Sequence, residues 1–160
     1  MRFFVGKFGV SDHIAALNVS AFVEVENGFS APLVFVALDP YKEQGISIKF
    51  NSIELRAFAF GLKAVASSKE QYEYTKTSGG SGTKSELKVY SNDKYDYVGI
   101  SKGAFKSQVS FKAYELLALS QELLLLCDET MKSLYKTQQF ILKKKSKEEK
   151  KIKEKEKENR

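Results

Sequence analysis

Hydrophobic and polar positions along this chain follow two periods in turn, and the change from one to the other happens twice. Residues 46–50 read Ile-Ser-Ile-Lys-Phe, an alternation with period two that predicts a strand with one buried face. From Asn51 the period lengthens. Ile53, Leu55, Phe58, Leu62 and Val65 recur at helical spacing, and Asn51 and Glu54 have the relative positions of a capping box, so a helix is predicted to about Ala66. Upstream, residues 2–9 are aromatic and β-branched and close on a glycine, residues 14–26 form a second strand-like run, and residues 33–38 a third. Asn27-Gly28 supplies residue types that tolerate a positive φ in a tight turn, while Asp39-Pro40 and Gly45 break the chain before the fourth strand. Downstream, residues 72–77 and 85–90 are predicted to pair as a hairpin around the flexible loop 78–82. Residues 95–101 and 105–111, joined through Lys102-Gly103, complete a second set of strands, and a second helix begins near Lys112 and runs past Tyr135.

The two halves are related in sequence as well as in pattern. Sliding the chain over itself by 61 positions aligns Ile48 with Val109, Phe50 with Phe111, Glu54 with Glu115, Leu55 with Leu116, Ala57 with Ala118, Phe58 with Leu119 and Leu62 with Leu123, without a gap. The match falls on the same strand-to-helix junction in each half, which makes the expected fold α+β: a duplicated unit of four antiparallel strands and one helix. Two such units in succession resemble the Whirly family, and the junction resembles that of transcriptional coactivator positive cofactor four. The likeness covers residues 2–135, and residues 105–126, a polar-alternating strand entering a Leu-rich helix, are its best local piece. It implies two sheets across which single-stranded DNA, or guide-RNA-like single strands, are bound, with helices packing subunits together, commonly into tetramers. The lysine-glycine-lysine motif of plant members is absent, its nearest counterparts being Gly6-Lys7 and Lys102-Gly103, so the contacts of those members are not carried over.

Composition narrows the classes of function. The chain of 160 residues, 42% hydrophobic and with 2 prolines, suits one domain, expected over residues 1–140, followed by a charged tail over 141–160. The net charge of +6 misleads by itself. Residues 143–160 carry 10 basic and 5 acidic side chains, which leaves a nearly neutral body of 16 basic and 15 acidic. The tail offers no apolar face, and is expected as a solvated helical extension that frays into disorder. Cys127 is the single cysteine, so no disulfide framework or CxxC metal knuckle exists within one chain, and a reducing, cytoplasmic setting is expected. Charge interrupts the N-terminal apolar residues too early for a signal-peptide core, no transit peptide is visible, and no stretch approaches a membrane span.

Single strands are held by cations that neutralise phosphates and by aromatic faces on which unstacked bases sit. Period-two geometry puts Tyr72, Tyr74 and Lys76 on one face of their strand. With Leu87 and Val89 facing the core, Lys88 and Tyr90 turn outward, and with Val98 and Ile100 inward, Tyr95 and Tyr97 join that outer surface. Lys102 and Lys106 extend the set, and Lys7, Phe8, Lys42 and Lys49 are the candidates in the first half, with Phe4 and Tyr41 close by. Taken singly, each tyrosine is as well explained by strand propensity; it is their sharing one face with lysines that points to binding.

The second helix carries more leucines than one stripe requires. Leu117, Leu124 and Leu125 are therefore expected at a homo-oligomer interface, as a dimer or tetramer. Catalysis finds no footing: His13 and Cys127 lie in different elements without a partner motif, Asp128-Glu129 reads as a solvated patch, and Ser78-Gly79-Gly80-Ser81-Gly82-Thr83-Lys84 lacks Walker spacing. No metal and no cofactor are expected. The sequence therefore suggests a non-enzymatic protein that binds single-stranded DNA with little sequence preference; single-stranded RNA and a protein-interaction scaffold are the alternatives.

Overall fold

The computed structural model describes residues 1–12, 14–40, 45–77 and 82–160. Four strands, β1 (Arg2–Ser11), β2 (Ala15–Glu26), β3 (Phe29–Pro40) and β4 (Ile46–Phe50), lead into helix α1 (Ser52–Ser68). Four more, β5 (Tyr72–Thr77), β6 (Lys84–Ser91), β7 (Asp96–Lys102) and β8 (Phe105–Phe111), lead into α2 (Ala113–Glu158). Each set forms its own antiparallel sheet in sequential order, β1-β2-β3-β4 and β5-β6-β7-β8, and the helices pack between the two. The expected α+β fold, four strands and a helix twice over, is the observed one.

Strand β3 begins four residues earlier than the alternation suggests. Asn27 and Gly28 both take positive φ, 51° and 79°, which is the two-residue hairpin turn whose twist matches its strands, so pairing persists to Glu26 opposite Phe29. Sheet register decides which residues are inside. Val19 and Val36 with Ile48, and Ala21 with Val34 and Phe50, form buried cross-strand rows in the first sheet. In the second, Val89, Val98 and Val109 and then Leu87 and Ile100 do the same. Leu55, Phe58 and Leu62 of α1 and Leu116, Leu119 and Leu123 of α2 fill the space between, giving one continuous core.

The 61-residue repeat is structural. The helix N-caps, Asn51 and Lys112, stand 61 positions apart, and Phe50/Phe111, Leu55/Leu116, Leu62/Leu123 and Ala66/Cys127 are buried in both copies. The copies differ at the cap. Asn51 Oδ1 accepts from the Glu54 amide at 2.8 Å and Glu54 accepts in return from the Asn51 amide at 3.3 Å, whereas Lys112 has no side-chain oxygen to offer. The N-terminal turn of α1 lies against α2, where the Cys127 thiol donates to Ser52 O at 3.4 Å and Arg56 pairs with Asp128 at 2.9 Å.

Helix α2 has 46 residues, about 69 Å at 1.5 Å per residue. Its first turns belong to the core, its middle lies along the first sheet, where Ser30 donates to Gln138 at 2.6 Å, and Phe140 and Ile141 line a cavity of about 430 Å³ with Met1, Phe3 and Val25. The helix crosses residue 141 without a break and stays helical to Glu158, all of it exposed beyond Glu148. The fraying expected of the charged tail is not seen. Lys and Glu are good helix formers, and spacings such as Glu149 to Lys153 and Glu154 to Lys157 set opposite charges one turn apart.

Candidate nucleic-acid interface

The face of the second sheet turned away from the helices is read directly from its register. One row runs Tyr90 and Tyr97 to Ser110, the next Glu73, Lys88, Gly99 and Gln108, the third Thr75, Glu86, Ser101 and Lys106. Tyr90 and Tyr97 stack at 5.2 Å with an 18° angle between rings. Each is held at its rim: the Tyr90 hydroxyl donates to Gln108 Oε1, and Asn92 Nδ2 donates to the Tyr97 oxygen at 3.0 Å. Burial, and then Tyr97 beside it, push the Tyr90 hydroxyl up, with Lys88 pulling it back, so Tyr90 is a neutral ring at neutral pH. Tyr95 is exposed in the turn before β7. Of the cations on this face, Lys88 is shared between Glu73 at 3.8 Å and Glu86 at 3.7 Å, whereas Lys84 and Lys106 make no ion pair among the described residues.

The outer face of the first sheet has the same composition with phenylalanine in place of tyrosine. Phe4, Phe22 and Phe35 meet edge to face, with centroids 5.7 and 6.1 Å apart, and Arg2, paired with Glu24 at 3.0 Å, lies 5.8 Å over Phe35. Lys7 and Lys49 share one cross-strand row with Ser20 and Phe35. Neither lysine makes an ion pair among the described residues.

Five residues expected on these surfaces lie elsewhere. Tyr72 and Tyr74 pair with Val89 and Leu87, so they face the helices. Tyr72 lies against Gly61, where a β-carbon would come within 2.5 Å of the ring, and Tyr74 meets Phe50 edge to face at 4.9 Å. The physical reason is that β5 is an edge strand with no aliphatic residue to mark its inner face, and the tyrosines themselves serve as its apolar side. Burial first, and then a hydrogen bond to the Glu54 carboxylate, push the Tyr74 hydroxyl up to about 12. Lys76 follows the same parity: it donates to Lys49 O at 2.8 Å and lies 3.7 Å from Glu54, tying the two sheets together. Phe8 pairs with Val19 and packs on the core, because the irregularity between Phe4 and Gly6 shifts the parity of β1. Lys102 pairs with Ser85 and Phe105 and lines a cleft of about 490 Å³ with Ile46 and Ser47, away from the tyrosine pair. Lys42, like Tyr41, His13 and the loop 78–81, lies outside the described residues.

No family model matches the chain, and no curated protein matches it either.

Phe22 and Phe35, aromatic positions outside the expected set of site residues, alternate with buried Ala21, Val23, Val34 and Val36, and that parity is the signal that finds them. Among the described residues no group of three His, Cys, Asp or Glu is placed to hold a metal ion, and no helix is long and apolar enough to cross a membrane. Cys127 is buried, and burial pushes its thiol up. On α2, Leu124 is partly buried against the core, while Leu117 and Leu125 are 37% and 59% exposed. Tyr114 on α2 and Ile53 and Phe60 on α1 are also exposed, and Ile53 and Tyr114 are repeat equivalents.

Proposed function

We propose that this protein is a non-catalytic, Whirly-like binder of single-stranded nucleic acid, DNA in the first instance, that uses the outer faces of its two sheets. The observation that carries the reading is the stacked Tyr90–Tyr97 pair flanked by Lys88 and Lys106 on a face that no helix covers. Rings held at their rims offer π-faces to unstacked bases at little entropic cost, and the flanking ammonium groups meet the phosphates that follow. The Phe4, Phe22 and Phe35 cluster with Lys7 and Lys49 supplies the same pairing on the first sheet. The exposed apolar residues of α1 and α2 support a homo-oligomer in which helices of two copies meet, multiplying the sheet faces available to one strand.

Fluorescence anisotropy with labelled single- and double-stranded oligonucleotides, DNA and RNA, at several salt concentrations tests the reading. If Lys7, Lys49, Lys84 and Lys106 each neutralise one phosphate, log K falls with log salt at a slope of about −3. Single strands bind more tightly than duplexes. Absence of binding to every single strand at low salt overturns the proposal and leaves the exposed helix faces as the functional surface.

A further inference from the structure

Between the tyrosine pair and the lysines, the outer face of the second sheet has a hole in it. Gly99 occupies the position in β7 where Lys88 and Gln108 face each other across three strands, and the missing side chain opens a pit of about 180 Å³. Its side-chain walls are Glu86, Lys88, Tyr90, Ser101, Lys106 and Gln108. That volume is below the range of pockets for drug-sized ligands and suits one planar ring. The glycine is not there for its backbone. Positive φ is recorded for Gly28, Gly82 and Gly103 but not for Gly99, and a β-carbon added to it would meet only ordinary contacts, Ser107 O at 3.5 Å and Gln108 Cβ at 3.7 Å. Glycine inside a strand weakens it, so a residue that the fold does not require leaves close approach of another group as its use.

The polar groups around the pit are mostly donors; the Glu86 carboxylate is an acceptor and is paired with Lys88 at 3.7 Å. The Tyr90 hydroxyl engages Gln108 Oε1, which leaves the Gln108 amide NH₂ as the donor, beside the ammonium groups of Lys88 and Lys106. A ring entering here is favoured by carbonyl oxygens on its edge and disfavoured by an exocyclic amine. Resting on the single-strand reading above, we propose that the Gly99 pit is a subsite for one pyrimidine base bearing two carbonyls, thymine or uracil, seated against Tyr90 with its edge toward Gln108 and its phosphates toward Lys88 and Lys106.

The test compares equal-length homopolymers, oligothymidylate, oligouridylate, oligodeoxycytidylate and oligodeoxyadenylate, on the wild-type chain and on Gly99→Ala and Gln108→Ala. The wild type is expected to bind the thymidylate and uridylate strands about tenfold more tightly than the adenylate strand. Both variants reduce that preference while keeping salt-dependent binding. Gly99→Ala melts no lower than the wild type, because alanine is the better strand residue, and Gln108→Ala removes an exposed side chain together with its hydrogen bond to the Tyr90 hydroxyl, so the result does not depend on one variant folding. Equal binding of all homopolymers by the wild type, or a preference that both variants retain, overturns the pit while leaving the single-strand reading intact. A wild type that binds no homopolymer overturns both.

Discussion

Asp96 is 1% exposed and opens β7 beneath the outer face of the second sheet. Lys69 reaches it with contacts of 3.0 and 3.3 Å to the two carboxylate oxygens, and the Ser91 hydroxyl donates to it as well. Lys69 is also the left-handed C-cap of α1, φ 61°, so a single residue ends the helix and neutralises a buried carboxylate of the second sheet. Lys69→Met leaves Asp96 without its cation and is expected to lower stability by about 2 kcal/mol in urea unfolding; a change under about 0.5 kcal/mol would show that solvent already satisfies it. Asp12 does comparable work between the sheets. Burial alone would raise its carboxyl, but hydrogen bonds from the Ser110, Ala15 and Ile14 amides and the Ser110 hydroxyl hold it below the ordinary value of 3.8. A depressed folded pKa contributes stability in full above the unfolded value and loses it as pH falls from about 3.8 through the folded value. Asp12→Ala is accordingly expected to cost about 1–2 kcal/mol at neutral pH and to converge on the wild type in acid, which unfolding curves at pH 7 and pH 3 compare. For binding, Tyr90→Ala and Tyr97→Ala are each expected to weaken single-strand affinity by about 1–3 kcal/mol, and Tyr74→Ala to act on stability instead.

At the scale of elements, the two strand-to-helix junctions are the same device built twice with unequal care. The first has a reciprocal capping box on Asn51 and Glu54; the second keeps the glutamate, Glu115, and has Lys112 at the cap. Lys112 already holds the extended backbone of a cap residue, φ −79° and ψ 156°, so Lys112→Asn needs no rearrangement. The substitution is expected to stabilise the fold by about 0.5–1 kcal/mol, measured as a higher urea midpoint at unchanged slope. The helices also leave apolar residues uncovered. If the proposed homo-oligomer forms through these helices, a double substitution Phe60→Glu and Leu125→Glu is expected to yield monomers in sedimentation equilibrium while preserving the circular dichroism spectrum, since both side chains are more than half exposed. An unchanged mass would place any self-association elsewhere.

For the whole molecule, α2 changes role along its length. It is core to about Thr130, a cover for the first sheet to Ile141 and the neighbouring turn, and a free charged rod beyond Glu148. Removing residues 149–160, which carry six basic and four acidic side chains, is expected to change stability by less than about 0.5 kcal/mol and to lower the salt slope of binding slightly. Removing residues from 143 onward takes away Lys144 and Lys145 from the cavity beside Met1 and Phe3 and is expected to destabilise as well. Thermal melts of the two truncations separate these outcomes.

Local pattern alone determined the elements of this protein. A period of two in Ile46–Phe50 and of 3.6 from Ile53 onward, the Asn51–Glu54 cap and the Asn27-Gly28 turn are each set by neighbours within a few residues, and the 61-residue repeat doubles every such signal. The outward facing of Lys88, Tyr90 and Tyr97 was legible for the same reason, since alternating aliphatic residues in their own strands marked the core side. What only the tertiary structure decided depends on pairing between strands and on what covers them. Tyr72 and Tyr74 carry no aliphatic neighbour to fix their parity, and it took the register with β6 and the groove over Gly61 to turn them inward. Phe8 faces the core because a strand irregularity resets the alternation of β1, and the Gly99 pit exists only where three strands bring Lys88, Gly99 and Gln108 into one row. Periodicity reports which residues share a face, whereas the choice between the two faces is made by long-range packing, where the burial free energy is gained.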